Sequence, residues 1–199
     1  GTIMDATGDP AVDINTGFFR TTAHSFWTAG IDGDDVALGG ASNELPVPAD
    51  RKVYTNIGTD EDLTAEENQV TVANAAINAA LLGLNTGDPP GRDALIEWLR
   101  GADVADTDGD SDVSEARLQM GDPMHGRPAT VIYGGTTTAP DLNDGVIFAV
   151  TNEGYLHAVD VNDGAELWAY MPRDLLGRAA ALYEDDAVSE RVWGLDGNV

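Results

Sequence analysis

The hydrophobic and polar positions of this chain follow two different rhythms. From Ala129 onward, apolar residues come in short runs broken by turn clusters. Ala129–Tyr133, Val146–Thr151, Tyr155–Asp160 and Glu166–Met171 each read as a short strand. Asn152-Glu153-Gly154 and Asn162-Asp163-Gly164 end in glycine, which suits tight hairpin connections. Upstream, the spacing is helical. Thr64 and Glu67 form a capping box, Val70, Ala73, Ile77, Ala80 and Leu81 recur on one helical face, and Gly83 supplies a C-terminal stop. A second helix is predicted over Arg92–Arg100, with Leu95, Ile96, Trp98 and Leu99 as its apolar stripe and Gly101 closing it. The two helices are expected to pack as a hairpin, with Trp98 in the core. Before residue 63 the pattern is weak: Phe18–Trp27 is a strand candidate and Arg51–Ile57 a short strand. After Pro172 a helical connection is predicted over Asp174–Leu182, followed by a new strand at Val192–Gly194.

Between helices and strands lies a segment with neither rhythm. Asp106, Asp108, Asp110 and Asp112 alternate, Glu115 follows, and no basic residue comes before Arg117. Charge at every second position has no counterion in a packed strand and suits a helix interior poorly. Alternating carboxylates with a later acid are what a hard cation needs; Ca²⁺ takes about six to eight oxygens in a flexible loop. The fit to an EF-hand loop is partial, because Ser111 stands where glycine makes the sharp turn and Arg117 where glutamate closes the site. A shorter calcium loop is therefore expected. It would use side-chain oxygens of Asp106, Asp108 and Asp110, the backbone carbonyl of Asp112 and a bidentate Glu115. The competing reading is an acidic solvated linker. A second acidic cluster, Asp32, Asp34 and Asp35, is better explained as a turn.

These segments divide the chain into an irregular 1–62, a two-helix segment 63–101, an acidic calcium loop 102–122 and a sheet region 123–199. The fold class is α+β, rich in β. Strands of this length, separated by turns, match about one four-stranded antiparallel blade of a β-propeller, preceded by the helical hairpin and the calcium loop. A single blade leaves its faces uncovered, so neighbouring blades are expected, from flanking chain or supplied in trans. The missing Met at Gly1 and the pattern of Arg191–Val199 point the same way.

Charge narrows the function classes. The 199 residues carry 35 acids against 10 bases, a net charge of −25, which repels a nucleic-acid backbone. No Cys is present, which removes disulfides and thiolate metal sites. Three His residues without Cys make a zinc centre an unpromising reading. No apolar run is long enough to span a membrane. Ser25, Ser42, Ser111, Ser114 and Ser189 lack a nucleophile elbow, and Gly134–Thr138 lacks the lysine of a phosphate loop. No enzyme activity is expected. His125 and Arg127, at the start of the first strand, read as structural: His125 bonding a loop carbonyl and Arg127 pairing with an acid such as Asp122. His24 and His157 read as sheet-surface residues.

The segment GVIFAVTNEGYLHAVDVNDGAELWAYMPRDLL resembles a quinoprotein-type propeller repeat. With MGDPMHGRPATVIYGG and LIEWLRG upstream, it resembles the PilC/PilY family of type IV pilus tip-associated proteins. Gly126 replaces the serine usual in the family's G-D-x-x-H-S-x-P segment. The resemblance spans about residues 18–199 and is most specific over 95–172. It implies a large secreted, calcium-binding protein whose propeller sits at the pilus tip, on the cell surface outside the outer membrane. There it would act in pilus biogenesis and adhesion, with pilins or minor pilins and a host or surface receptor as partners. Two other readings share the repeat: a quinoprotein dehydrogenase using PQQ, and a propeller scaffold for proteins or glycans.

Overall fold

The computed structural model describes residues 2–33, 35, 38–184 and 194–199. The sheet region folds much as its pattern predicts. β2 (Ala129–Thr136), β3 (Ala139–Val150), β4 (Leu156–Asp160) and β5 (Glu166–Tyr170) follow one another as an antiparallel meander. Gly154 and Gly164, at φ +100° and +78°, close the two turns after β3 and β4, where a side chain would be strained. β2 and β3 run further than the apolar pattern suggests. Beyond an irregularity at Tyr133 they continue pairing to Thr136 and Ala139, forming an exposed arm. A helical turn, α3 (Arg173–Leu176), and α4 (Ala179–Glu184) follow β5.

The sheet has a fifth strand. β1 (Val53–Tyr54), inside the predicted Arg51–Ile57 strand, pairs parallel to β5, giving the order β1-β5-β4-β3-β2. The observed architecture is thus α+β, an open, mixed and mostly antiparallel sheet. Alternation along the strands divides its faces. Val53, His157, Glu166 and Ala169 turn to the core, where Val53 and Ala169 pack with Leu95, Ile96, Leu99 and Met171. On the other face Trp168 lies 5.8 Å from Phe148, with Ala158 buried between their strands.

The helical hairpin is not formed. α2 (Arg92–Leu99) stands where expected and buries Leu95, Ile96, Trp98 and Leu99. The segment before it holds only a 3₁₀ turn at Glu66–Asn68, then successive turns through residue 83. Val70, Ile77 and Leu82 still reach the core, but Ala73 and Ala80 are exposed. The physical reason lies in who takes the carbonyls. Arg92 donates to the carbonyls of Ile77, Val72 and Asn74 at 2.6, 3.0 and 2.8 Å. Asn74 donates to those of Glu67 and Gln69, and Asn78 accepts from the Leu81 amide. Side chains have replaced the main-chain ladder a helix would need. α2 packs instead on α4, with Trp98 edge-on to Tyr183 at 5.6 Å.

The other strand candidate also differs. Phe18–Trp27 contributes a single bridge, Val12 with Phe19, and otherwise turns. Trp27 leaves the extended region at φ 65°, and its indole donates to the Val161 carbonyl at 3.1 Å, pinning this N-terminal layer to the sheet. A short helix, α1 (Gly40–Asn43), precedes β1. Asp34, Val192 and Trp193 lie outside the described residues, so the expectations placed on them are not addressed. Gly194 and Leu195 bond back to the Asn152 side chain and the Thr151 carbonyl.

His157, expected on the sheet surface, is fully buried. Its Nδ1 lies 2.7 Å from Glu166, and its Nε2 lies 3.2 Å from the Thr151 hydroxyl. Glu166 also accepts two bonds from Arg51, at 2.6 and 3.0 Å, and the guanidinium lies over the Tyr155 ring. Burial opposes ionisation of Glu166, but the hydrogen bonds from His157 and Arg51, together with the Arg51 charge, hold its carboxyl down at about 2. This group joins β1 to β4 and β5.

Removing one partner leaves a buried charge uncompensated, so Glu166→Gln is expected to cost about 3–5 kcal/mol in chemical denaturation. The double variant Arg51→Met/Glu166→Leu should recover much of that loss. Because the folded pKa is depressed, the stabilisation from Glu166 is complete above its ordinary value of 4.5. It is lost as pH falls toward 2, a decline that pH-dependent melting of wild type and Glu166→Gln will separate.

Candidate metal centre

The acidic segment is a loop tied at its neck. Ala102 bridges Ala116, the Asp103 amide donates to the Glu115 carbonyl at 3.0 Å, and the Arg117 amide donates to Gly101 at 2.7 Å. The neck follows directly on α2, whose end is fixed by the Tyr155 hydroxyl donating to the Leu99 carbonyl at 2.8 Å. Arg117 lies over the Trp98 ring at 4.1 Å, with Glu153 3.9 Å away. Arg117 is therefore packed against Trp98 and Glu153 on the protein body, with the Asp103 charge near enough to act on it. That explains why a cation stands where an EF-hand would place its closing glutamate.

Within the loop, each acid organises the backbone just after it. Asp106 accepts from the Ser111 amide, Asp108 from Asp110 and Asp110 from Asp112, at 3.0, 3.2 and 2.7 Å. These bonds curl the chain, although Asp108, Asp110 and Asp112 remain exposed. Asp106, Gly109 and Ser111 adopt left-handed φ values of 50°, 79° and 74°. Ser111 thus makes the sharp turn that glycine makes elsewhere, and carries the strain of doing so.

The carboxylates gather in two overlapping groups, each with ligand atoms within 4.8 Å of one another: Asp106, Asp108 and Asp110, and Asp103, Asp108 and Glu115. A cation about 2.3–2.6 Å from each oxygen spans such a set. All donors are carboxylate oxygens, the ligand type that hard cations take. Four of the five residues singled out from sequence lie in these groups. Asp112 does not contribute its carboxylate, which accepts from the Ser114 amide and hydroxyl at 2.9 and 2.6 Å.

Asp103 was not anticipated. It is buried, and both of its oxygens accept from Thr107, at 2.8 Å each. It falls outside the alternating run; the only trace in the sequence is a threonine four residues later, positioned to be capped. The Glu115 carboxyl is pushed above its ordinary value, chiefly by the charges of Asp108 and Asp110, then by burial, Asp112 and Asp103. Anions crowd this loop before any metal is considered.

His125 is tied down, though not to a carbonyl: its amide and Nδ1 pair with the Asp196 carboxylate at 2.9 and 3.0 Å. Arg127 bridges Asn198 through the backbone. His24 lies 2.9 Å from the Thr28 carbonyl, in turn structure. Among the described residues, no helix is long and apolar enough to cross a membrane. No family model, curated protein or solved structure matches the chain.

Ser111→Gly should relieve left-handed strain of about 1 kcal/mol and tighten calcium binding by up to about fivefold in calorimetric titration. Because Glu115 has a raised folded pKa, its repulsion is absent below its ordinary value and sets in as pH rises through the folded one. In chelator, ¹⁵N relaxation is therefore expected to show a more rigid loop near about pH 4 than at about pH 7.

Proposed function

We propose that the chain is a non-enzymatic, calcium-binding extracellular protein of the type IV pilus tip, acting in pilus biogenesis and adhesion. The observation that carries the calcium reading is the tied loop in which Asp108 belongs to two carboxylate groups at once. The resemblance of the 95–172 segments to the PilC/PilY family supports the placement at the pilus tip. On this reading β2–β5 are one blade of a propeller, and further blades would cover the face that carries Phe148 and Trp168. Pilins or minor pilins and a surface receptor would be the partners.

Calcium would act as a clamp. Asp103 and Glu115 bracket the neck, and Arg117 ties the loop's exit to Trp98 and Glu153. Neutralising the acids lets the loop close without self-repulsion, so metal binding is coupled to order between α2 and the segment leading to β2.

At a hundredfold excess over Kd, calcium should add about 2.7 kcal/mol to stability. In scanning calorimetry that corresponds to a rise in Tm of about 5–10 °C, reversed by EGTA and not reproduced by sodium chloride of equal ionic strength. Asp108→Ala should abolish the rise, because both groups lose a member. Glu61→Ala, an exposed acid in another loop, should leave it intact. A Tm indifferent to EGTA would refute the calcium reading.

A further inference from the structure

The N-terminal layer carries a feature that the metal loop does not explain. Ile3, Met4, Phe19 and Phe26 are 58, 48, 54 and 62% exposed, and all four line one open cleft of about 510 Å³. The buried Ala11 and Ala23 also line it. Its far wall is the 120–123 segment, anchored to the sheet where the Asn152 amide donates to the Asp122 carbonyl at 2.8 Å. Concentrated exposed apolar side chains in a concave site mark a place where something docks.

The charge around the cleft narrows the occupant. Asp5, Asp32 and Asp122 line it, and no Lys or Arg does so among the described residues. Asp5 accepts from the Thr7, Asp9 and His24 amides, and Asp32 accepts from the Ser25 amide at 2.7 Å. These bonds fix the carboxylates in place and favour their ionised form. A second copy of this chain would bring 35 acids against 10 bases into a negative cleft. Anionic lipid and nucleic acid would be repelled for the same reason. The complement of this surface is apolar and cationic.

We propose that the cleft docks a peptide segment of a partner protein in which bulky apolar side chains adjoin Lys or Arg. The apolar side chains insert among Met4, Phe19 and Phe26, and the cation meets the rim carboxylates. The apolar contacts supply affinity, and the acids select against acidic sequences. This inference stands apart from the calcium loop.

The test is an NMR titration in EGTA with three acetylated, amidated tetrapeptides: Lys-Phe-Leu-Lys, Glu-Phe-Leu-Glu and Lys-Gly-Ser-Lys. Lys-Phe-Leu-Lys is expected to bind in the millimolar range or tighter, shifting amides around residues 3–6, 19–26 and 120–123, and to weaken as salt is raised. The other two should bind at least about tenfold more weakly, since each lacks one of the two recognition elements. Phe26→Ser should weaken Lys-Phe-Leu-Lys about tenfold. Asp122→Asn should weaken it about threefold, as expected for an exposed charge pair. Both positions are exposed, so both variants should keep the wild-type melting temperature. Equal binding of the acidic peptide, shifts mapping outside the cleft, indifference to Phe26→Ser, or no binding of any peptide would each overturn the proposal. Running without calcium separates this outcome from that of the metal reading.

Discussion

Three strands of the sheet, β1, β4 and β5, are tied together by a charge that water cannot reach. Glu166 lies at the start of β5, takes a bidentate grip from Arg51 before β1, and shares an oxygen with His157 from β4. β1 makes only two register pairs with β5, and on its other side it bonds to the 68–70 segment, the Thr55 amide donating to Asn68 and the Val70 amide to Val53. The ion pair adds a penalty against slippage to these main-chain bonds, because a shift of one residue would strand a guanidinium in the core. Such groups seldom add much net stability compared with apolar residues of the same volume. What this one adds to the main-chain bonds is specificity.

That anchoring reaches the acidic loop through a short chain of contacts. Arg51 lies over Tyr155, Tyr155 holds the last carbonyl of α2, and the neck of the loop follows immediately. Arg117 then returns the chain to Trp98 and Glu153 before it enters β2. The loop is therefore an anionic excursion from a rigid base. A cation entering it would not need to build the frame, only to cancel the repulsion within it.

Much of this was legible in the sequence, and the exceptions have physical causes. The meander was readable because short apolar runs and glycine-ended turns leave few alternatives. α2 was readable because its stripe is strong and Gly101 stops it. Asp106, Asp108, Asp110 and Glu115 announced themselves by spacing. Asp103 did not, since its role comes from burial at a neck that forms only when Ala102 meets Ala116. His157 and Glu166 were opaque for a related reason: a polar residue in a strand reads as outward-facing unless its partner, here more than a hundred residues away in Arg51, is already known. Residues 134–144 gave no apolar signal because the arm they form is largely exposed.

Residues 70–82 show what it means for tertiary contacts to overrule local preference. The stretch VTVANAAINAALL is rich in alanine and leucine, good helix formers, yet it is wound into turns by Arg92 and by two asparagines. In isolation it leans toward one conformation, and in the folded protein it is committed to another. That is a locally frustrated segment, whose native shape is imposed by its surroundings. Its response to sequence change is accordingly inverted: alanine at Asn74 or Asn78, which would reinforce an ordinary helix, here favours the competitor over the native form.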